Sequence, residues 1–504
     1  MGHPSIYPTG VTAYNRDKAY NGYTVYPSSK GAVLIDMNGN IVHRWAGLYG
    51  NPNKILPGGY ILGSTGLRNP QFGAFNYYDL VQVDWQGKII WKFDKDEYIT
   101  DPGEEPRFMA RQNHDFQREG SATGYYSPGS EPLTSSGNTL IVVGENVYNP
   151  NISRKVLLDS KIIEVTWEGK IVWEWRANEH FDELGFDAAA KKVLYDLYSP
   201  DVAYGGQGYW LAINNINTLG PNKWYDAGDE RFHPDNIIWD GRNANILAII
   251  SKKTGKIVWK LGPDFNESDA TRKLGWVIGQ HHLHLIQKGL PGEGNLLFLD
   301  NGGFAGYGRP TGTSSLGSAN QRRDYSRVLE LDPTTLEIKW QYTPKEAGHI
   351  HPLDSYKFFT SFMGSVQRLP NGNTLITEAS DGRLIEVTAE HETVWEYVNP
   401  FFEARGLVRN HNHIYRAYRV PYEWIPQLKK PQETSITPPN ISKFRVPGAP
   451  DGAGAGKITI VQGVDPKRLK PLQDPYAKVQ QSDNVERDFC IVPIETSASK
   501  VEAQ

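Results

Sequence analysis

Six copies of one composite tag constrain this chain more than any other feature. Each copy is an apolar strand, a polar turn and a second apolar strand carrying Trp. They read LIDMNGNIVHRW (34–45), LVQVDWQGKIIWKF (80–93), IIEVTWEGKIVWEW (162–175), ILAIISKKTGKIVWKL (246–261), VLELDPTTLEIKWQY (328–342) and LIEVTAEHETVWEY (384–397). Alternating apolar residues around tips such as Asn-Gly, Gln-Gly, Glu-Gly or Thr-Gly specify β-hairpins. A second element interleaves with the tag at 57–64, 136–144, 293–301 and 371–380, where a Gly-Asn or Gly-Gly turn opens a strand rich in β-branched residues. Four short strands repeated six times predict an all-β chain, a six-bladed β-propeller with loop insertions and a C-terminal extension. In an ordinary β-sandwich the recurring Trp would be coincidence.

A closed repeat body can absorb most of the 504 residues as one unit. The propeller is expected over 1–424 and a Pro/Gly-rich extension over 425–504, with a strand at 457–463 returning to close the ring. Residues 177–200 carry apolar side chains at helical spacing, so a helix is expected to decorate a loop there. The 14 Trp and 27 Tyr supply large side chains for the cores between blades.

Several function classes drop out on charge and cysteine usage. A net charge of −4 with no basic run offers nothing to nucleic acid or to an anionic membrane. Cys490 is the only cysteine, which excludes an internal disulfide and a Cys-thiolate metal site. No apolar run approaches the roughly 18 residues of a membrane span, and no signal peptide shows in the chain as given. A soluble protein is expected, periplasmic or secreted if a leader has been removed.

In a propeller the innermost strands line the central channel, so their starts converge although they are distant in sequence. The inner strand should be the one before each Gly-Asn turn: 51–59, 113–120, 214–220, 279–286, 361–372 and 410–417. Polar residues crowd these starts: Asn51, His114, Asn215, His281 or His282, and His411 or His413. Any one His has a structural explanation, but their concentration at one place marks a candidate site. On the strand HHLHL, His282 and His284 share one face and His281 takes the other. Either face can be the channel face, and alternating His is also a chelate pattern suited to Zn, Cu, Fe or Ni. Packing residues bonded to neighbouring blades are the bland reading of His282 and His284. Arg242, in WDGRNAN (239–245), offers a rigid fork of donors to a tetrahedral anion, or else pairs with Asp240 at the surface. The aromatic residues of 220–235 suit a phenolic ring or a packed loop equally.

Most of residues 7–420 resembles the bacterial arylsulfate sulfotransferase family, whose members use no adenylyl-sulfate donor. The resemblance is carried by RNANILAIISKKTGKIVWKLG (242–262), GQHHLHLI with GNLLFLDNGG (279–303), SRVLELDP (326–333), 366–397 and NHDF (113–116). It implies a six-bladed propeller and a ping-pong transfer through a sulfo-histidine, between phenolic or aryl-sulfate small molecules and without a cofactor. By motif, His281 matches the nucleophile, His114 a second His at the sulfuryl group or phenol oxygen, and Arg242 the Arg that follows the third blade's inner strand. Asn215-Ile216-Asn217 stands where the family has His-Ile-Asn, and Asn cannot serve as a general acid. His282 stands where an Asp commonly follows the nucleophile. The missing disulfide and extra His at 233, 284, 411 and 413 are further departures. The expected site therefore has His281, His114, Arg242 and Asn215 as catalytic residues, with His282, His413 and Asn217 binding substrate. The alternative is a metal-dependent propeller enzyme (oxygenase, lyase or hydrolase) using His114, His281, His282, His284 and His413. A non-enzymatic scaffold is a third reading, disfavoured because a scaffold needs no buried cluster of titratable groups.

Overall fold

The computed structural model describes residues 9–196 (except 70, 71 and 74), 208–438 (except 406 and 407), 457–460 and 462. Six antiparallel sheets of four principal strands form the six blades expected from the tags. Blade 1 holds Tyr23–Ser28, Gly31–Ile35 and Ile41–Ala46, with Tyr418–Val420 as its inner strand. Blade 2 runs Tyr49–Leu56, Tyr60–Ser64, Leu80–Val83 and Ile89–Phe93; blade 3 runs Gln112–Arg118, Thr139–Val147, Leu157–Val165 and Ile171–Arg176. Blade 4 is Ile213–Thr218, Ile237–Gly241, Ile246–Ile250 and Ile257–Leu261. Blade 5 is His281–Leu285, Leu296–Asp300, Arg327–Leu331 and Ile338–Tyr342. Blade 6 is Ser365–Arg368, Thr374–Glu378, Arg383–Val387 and Thr393–Val398, with Gly10–Tyr14 added outside.

The ring is closed by a different segment from the one expected. Tyr418–Val420 pairs with Tyr23–Val25, so the two ends of the propeller share blade 1. Lys457–Ile460 instead lies parallel to His43–Ala46 at the outer edge of that blade, and of the rest of 457–463 only 462 is described. The pairing logic is clear: an inner strand missing from blade 1 leaves a buried row of unpaired backbone groups, whereas an outer edge can face water. The helix expected over 177–200 is a 3-10 turn, Ala177–Leu184, followed by an α-helix, Ala188–Asp196; 197–200 lie outside the described residues. Among the described residues no helix is long and apolar enough to cross a membrane.

Both faces of each blade are covered by neighbours, which is why middle strands such as Ile246–Ile250 are apolar without alternation and wholly buried. The buried side chains accordingly fall into six main clusters, one at each blade–blade junction. Leu62, Leu80 and Trp91 of blade 2 meet Phe116, Ile141 and Ile163 of blade 3, for example. The tag Trp has a second task. Each indole N–H donates to a backbone carbonyl at the outer hairpin of the next blade: Trp45 to Asp84, Trp91 to Trp167, Trp175 to Gly255, Trp259 to Pro333, Trp340 to Ala389 and Trp395 to Met37. The distances are 2.8–3.1 Å. Six bonds thus run once around the ring, which accounts for the recurrence of Trp.

Candidate active site at the channel mouth

Five of the six inner strands overlap the segments expected, and that of blade 1, Tyr418–Val420, follows directly after the last of them; all run in the same direction from the mouth inward. Loops before inner strands, and those between second and third strands, therefore gather at the mouth. Loops after inner strands lie at the far end. The aromatic segment 220–235 is one of the latter: Trp224 donates to Gly294 O at 2.5 Å and Phe232 is buried, so it is a packed loop remote from the mouth, and His233 goes with it.

Irregular backbone marks the starts of these strands. Register breaks occur between Gln112 and Phe116, Ile213 and Asn215, and His281 and His284. Arg111, His114, Ala212, His282 and Met363 adopt positive φ without being glycine, from 50 to 61°. Bulges of this kind re-aim side chains, and such conformations persist only where packing over-determines them.

His281 is 4% exposed and both its ring nitrogens are engaged. Nδ1 lies 2.7 Å from Asn301 Oδ1 and 3.0 Å from Gly279 O; both partners only accept, so Nδ1 carries the proton. Nε2 receives the Met363 N–H at 3.2 Å and is therefore the lone-pair nitrogen. Burial, then the nearby Arg242 guanidinium, holds the imidazole well below its ordinary pKa, so it is neutral.

His114 lies beside Tyr415, whose hydroxyl is 3.2 Å from its Nδ1 and whose ring stacks on it at 5.9 Å. Phe75 (4.7 Å) and Tyr209 (6.1 Å) complete an aromatic surround. Burial first, then the charge of Arg416, pushes His114 down to about 3. The charges of Arg242 and Arg416 both bear on His281 and on His114, favouring the neutral form of each imidazole. Arg242 follows the second strand of blade 4, Ile237–Gly241, rather than an inner strand. Its guanidinium lies over Phe304 at 4.6 Å and donates to Asn243 Oδ1 at 2.9 Å, while Asp240 turns to the Leu283 N–H at 3.0 Å. His413 reaches the rim against Phe362 (5.4 Å), with His411 beside it at 4.2 Å.

Beneath this layer the polar side chains stitch blades together. Asn215 and Asn217 are fully buried and donate to Leu283 O; Asn217 also donates to Asn215 Oδ1 at 3.2 Å. His282 Nδ1 lies 2.8 Å from Val366 O on blade 6. His284 donates from Nδ1 to His282 O at 2.9 Å and accepts the Tyr125 hydroxyl at Nε2 at 2.8 Å. Asp115 accepts from Lys54 Nζ at 2.7 Å and from Ile216 N–H at 3.1 Å, and pairs with Arg416 at 3.2 Å. Among the described residues no three His, Cys, Asp or Glu side chains are placed to hold a metal ion. Of the alternating pair in HHLHL, His284 engages both ring nitrogens with His282 O and Tyr125, and His282 bonds Val366 O through Nδ1.

Sequence reasoning missed Asn301, Met363, Tyr415 and Arg416. Asn301 closes the quoted strand segment 293–301, and second strands end at the mouth where inner strands begin. That antiparallel relation was the available signal. Tyr415 and Arg416 lie within the last quoted inner-strand segment, where the His residues carry the sequence signal.

A family described as Arylsulfotransferase (ASST) matches residues 131–416. No curated protein matches the chain. Among solved structures, a Bacteroides caccae protein of unknown function is 12% identical, covering 79% of this chain and 98% of its own, with a TM-score of 0.40. A streptogramin B lyase is 13% identical, covering 79% and 85%, at 0.34. A Staphylococcus aureus virginiamycin B lyase in complex with quinupristin, catalytically inactive, is 11% identical, covering 77% and 87%, at 0.32. At such scores these likenesses say nothing of chemistry. The family match does, since it spans more than half of the chain: the protein belongs to the arylsulfotransferase family and is an aryl sulfotransferase-like transferase on a six-bladed propeller.

Proposed function

We propose that this enzyme carries a sulfuryl group from an aryl sulfate to an acceptor phenol in two displacements, holding it in between on His281 Nε2. The observation that carries the reading is the state of His281: neutral, protonated at Nδ1, with its lone pair on Nε2 at the mouth. In the first displacement Nε2 exchanges the Met363 N–H bond for a bond to sulfur and the S–O(aryl) bond breaks, with its electron pair leaving on the phenolate. The ring becomes an N-sulfo imidazolium that keeps its Nδ1 proton. In the second, the acceptor oxygen attacks sulfur and the N–S pair returns to Nε2.

The departing phenolate takes its proton from solvent, and in the second displacement the acceptor phenol gives one up as its oxygen bonds to sulfur; neutral His114, beside the Tyr415 hydroxyl, is our candidate to accept that proton and pass it to solvent. Phe75, Tyr209 and Tyr415 around His114 suit the aryl ring, and Arg242 suits the sulfuryl oxygens. In this account Asn215, Asn217, His282 and His284 support the His281 strand rather than touch the substrate, and no metal takes part.

The test is a single turnover with 4-nitrophenyl sulfate and no acceptor. Wild type should release one nitrophenolate per active site in a burst, and His281→Ala should show none while melting as wild type does. An undiminished burst in His281→Ala would refute the covalent mechanism.

A further inference from the structure

We propose that Asn301 is the positioning residue that sets the tautomer of His281, a role resting on His281 acting as the nucleophile. Asn301 is fully buried at the end of the second strand of blade 5, adjacent to the start of the His281 strand. Its amide orientation is fixed without ambiguity. Nδ2 donates to Thr360 O and to Met363 O, each at 2.7 Å, which leaves only Oδ1 to face His281 Nδ1 at 2.7 Å. A flipped amide would put its oxygen against two carbonyls and its NH2 against a ring N–H. Asn301 therefore requires the proton on Nδ1 and the lone pair on Nε2. The Met363 N–H, 3.2 Å from Nε2, requires the same tautomer from the other side of the ring. Because Asn301 also holds Met363 O, one side chain fixes both the imidazole and the loop that caps it.

A neutral amide is well matched to this task. A carboxylate here would raise the imidazole pKa and set a negative charge beside an anionic sulfate donor. The amide orients the ring without either effect. When the ring becomes an N-sulfo imidazolium, its Nδ1–H bond to Oδ1 becomes charge-assisted and shorter, so the contact favours the intermediate over the resting state. The cost of a wrong tautomer in a comparable orienting pair reaches about 10⁴-fold in rate.

Two readouts test this, one independent of turnover. The first is 15N NMR of the resting wild-type protein labelled in its His rings, with the His281 signals assigned by their loss in His281→Gln. The proposal expects Nδ1 protonated and Nε2 unprotonated from pH 8 down to below the ordinary His range. Protonated Nε2, or a mixture of tautomers, would overturn it, whether or not the enzyme transfers sulfate. The second is the pre-steady-state burst of Asn301→Ala and Asn301→Asp, with folding checked by melting. Asn301→Ala should slow the burst by at least about 10²-fold while the KM for donor changes little. Asn301→Asp should retain more of the rate, with its acid limb displaced to higher pH, because the anion stabilises protonated His281. An Asn301→Ala burst at wild-type rate, or no displacement of the limb in a folded Asn301→Asp, would contradict the proposal. If the NMR result holds but wild type gives no burst, the positioning stands and the sulfo-enzyme reading fails.

Discussion

At the scale of single residues, the site depends on keeping imidazoles neutral in a buried, cation-rich mouth. Burial, then Arg242, depresses His281, so its neutral form persists where an ordinary His would be protonated. The sign is definite: a lowered pKa leaves the neutral form dominant above that value. The burst rate should therefore stay level as pH falls through about 6.5, the ordinary value. A loss of rate centred near that value would show that His281 titrates like an exposed His. Arg242 also carries geometry, being held between the Phe304 face and Asn243. Lys keeps the charge but not the fork, so Arg242→Lys should lower kcat/KM on the order of 10²-fold. Steady-state kinetics with an aryl sulfate decides this, and wild-type values would remove Arg242 from the site.

At the scale of strands and blades, the tag Trp is a joint as well as core filling. Trp395→Phe keeps a ring in the junction but leaves Met37 O without its indole donor, so it should cost about 1–3 kcal/mol. Urea unfolding measures this; a cost below ~0.5 kcal/mol would make the ring of indole bonds incidental. The tag was legible because its Trp recurs at one place in the hairpin and its turn residues are local. Five of the inner strands were legible for the same reason, since each precedes a Gly-containing turn; that of blade 1, Tyr418–Val420, has no such turn after it. The bulges were not. His114 and His282 take positive φ under tertiary packing, and nothing in the neighbouring residue types announces it. For His282 and Asn217 the sequence showed polar residues at the right strands but not their direction; the structure turns both toward neighbouring blades. Asn301 was hidden because its partners, Thr360, Met363 and His281, come from three separate stretches of chain.

At the scale of the whole molecule, the ring is held shut where its two ends meet. Arg419, on the inner strand of blade 1, is fully buried and donates to Thr24 Oγ1 and Tyr20 O at 2.6 Å. It pairs with buried Glu386 of blade 6 at 3.1 Å and lies over Trp395 at 4.5 Å. Arg419→Met would leave Glu386 buried without its guanidinium, a loss of about 3–5 kcal/mol. Calorimetry should show a large drop in Tm, whereas an unchanged Tm would mean the seam does not limit stability. Closure also delivers Tyr415 and Arg416 to the channel, so the same segment that completes the ring completes the mouth.

The central claim is that sulfuryl transfer passes through His281. Its most direct test is to quench the wild-type enzyme after exposure to an aryl sulfate without acceptor and map the adduct by peptide mass spectrometry under conditions that preserve N–S bonds. The account expects one SO3 increment, on the peptide containing His281, discharged when a phenol is added before quenching. Stoichiometric product formation with no such increment, or with the increment on another residue, would contradict it.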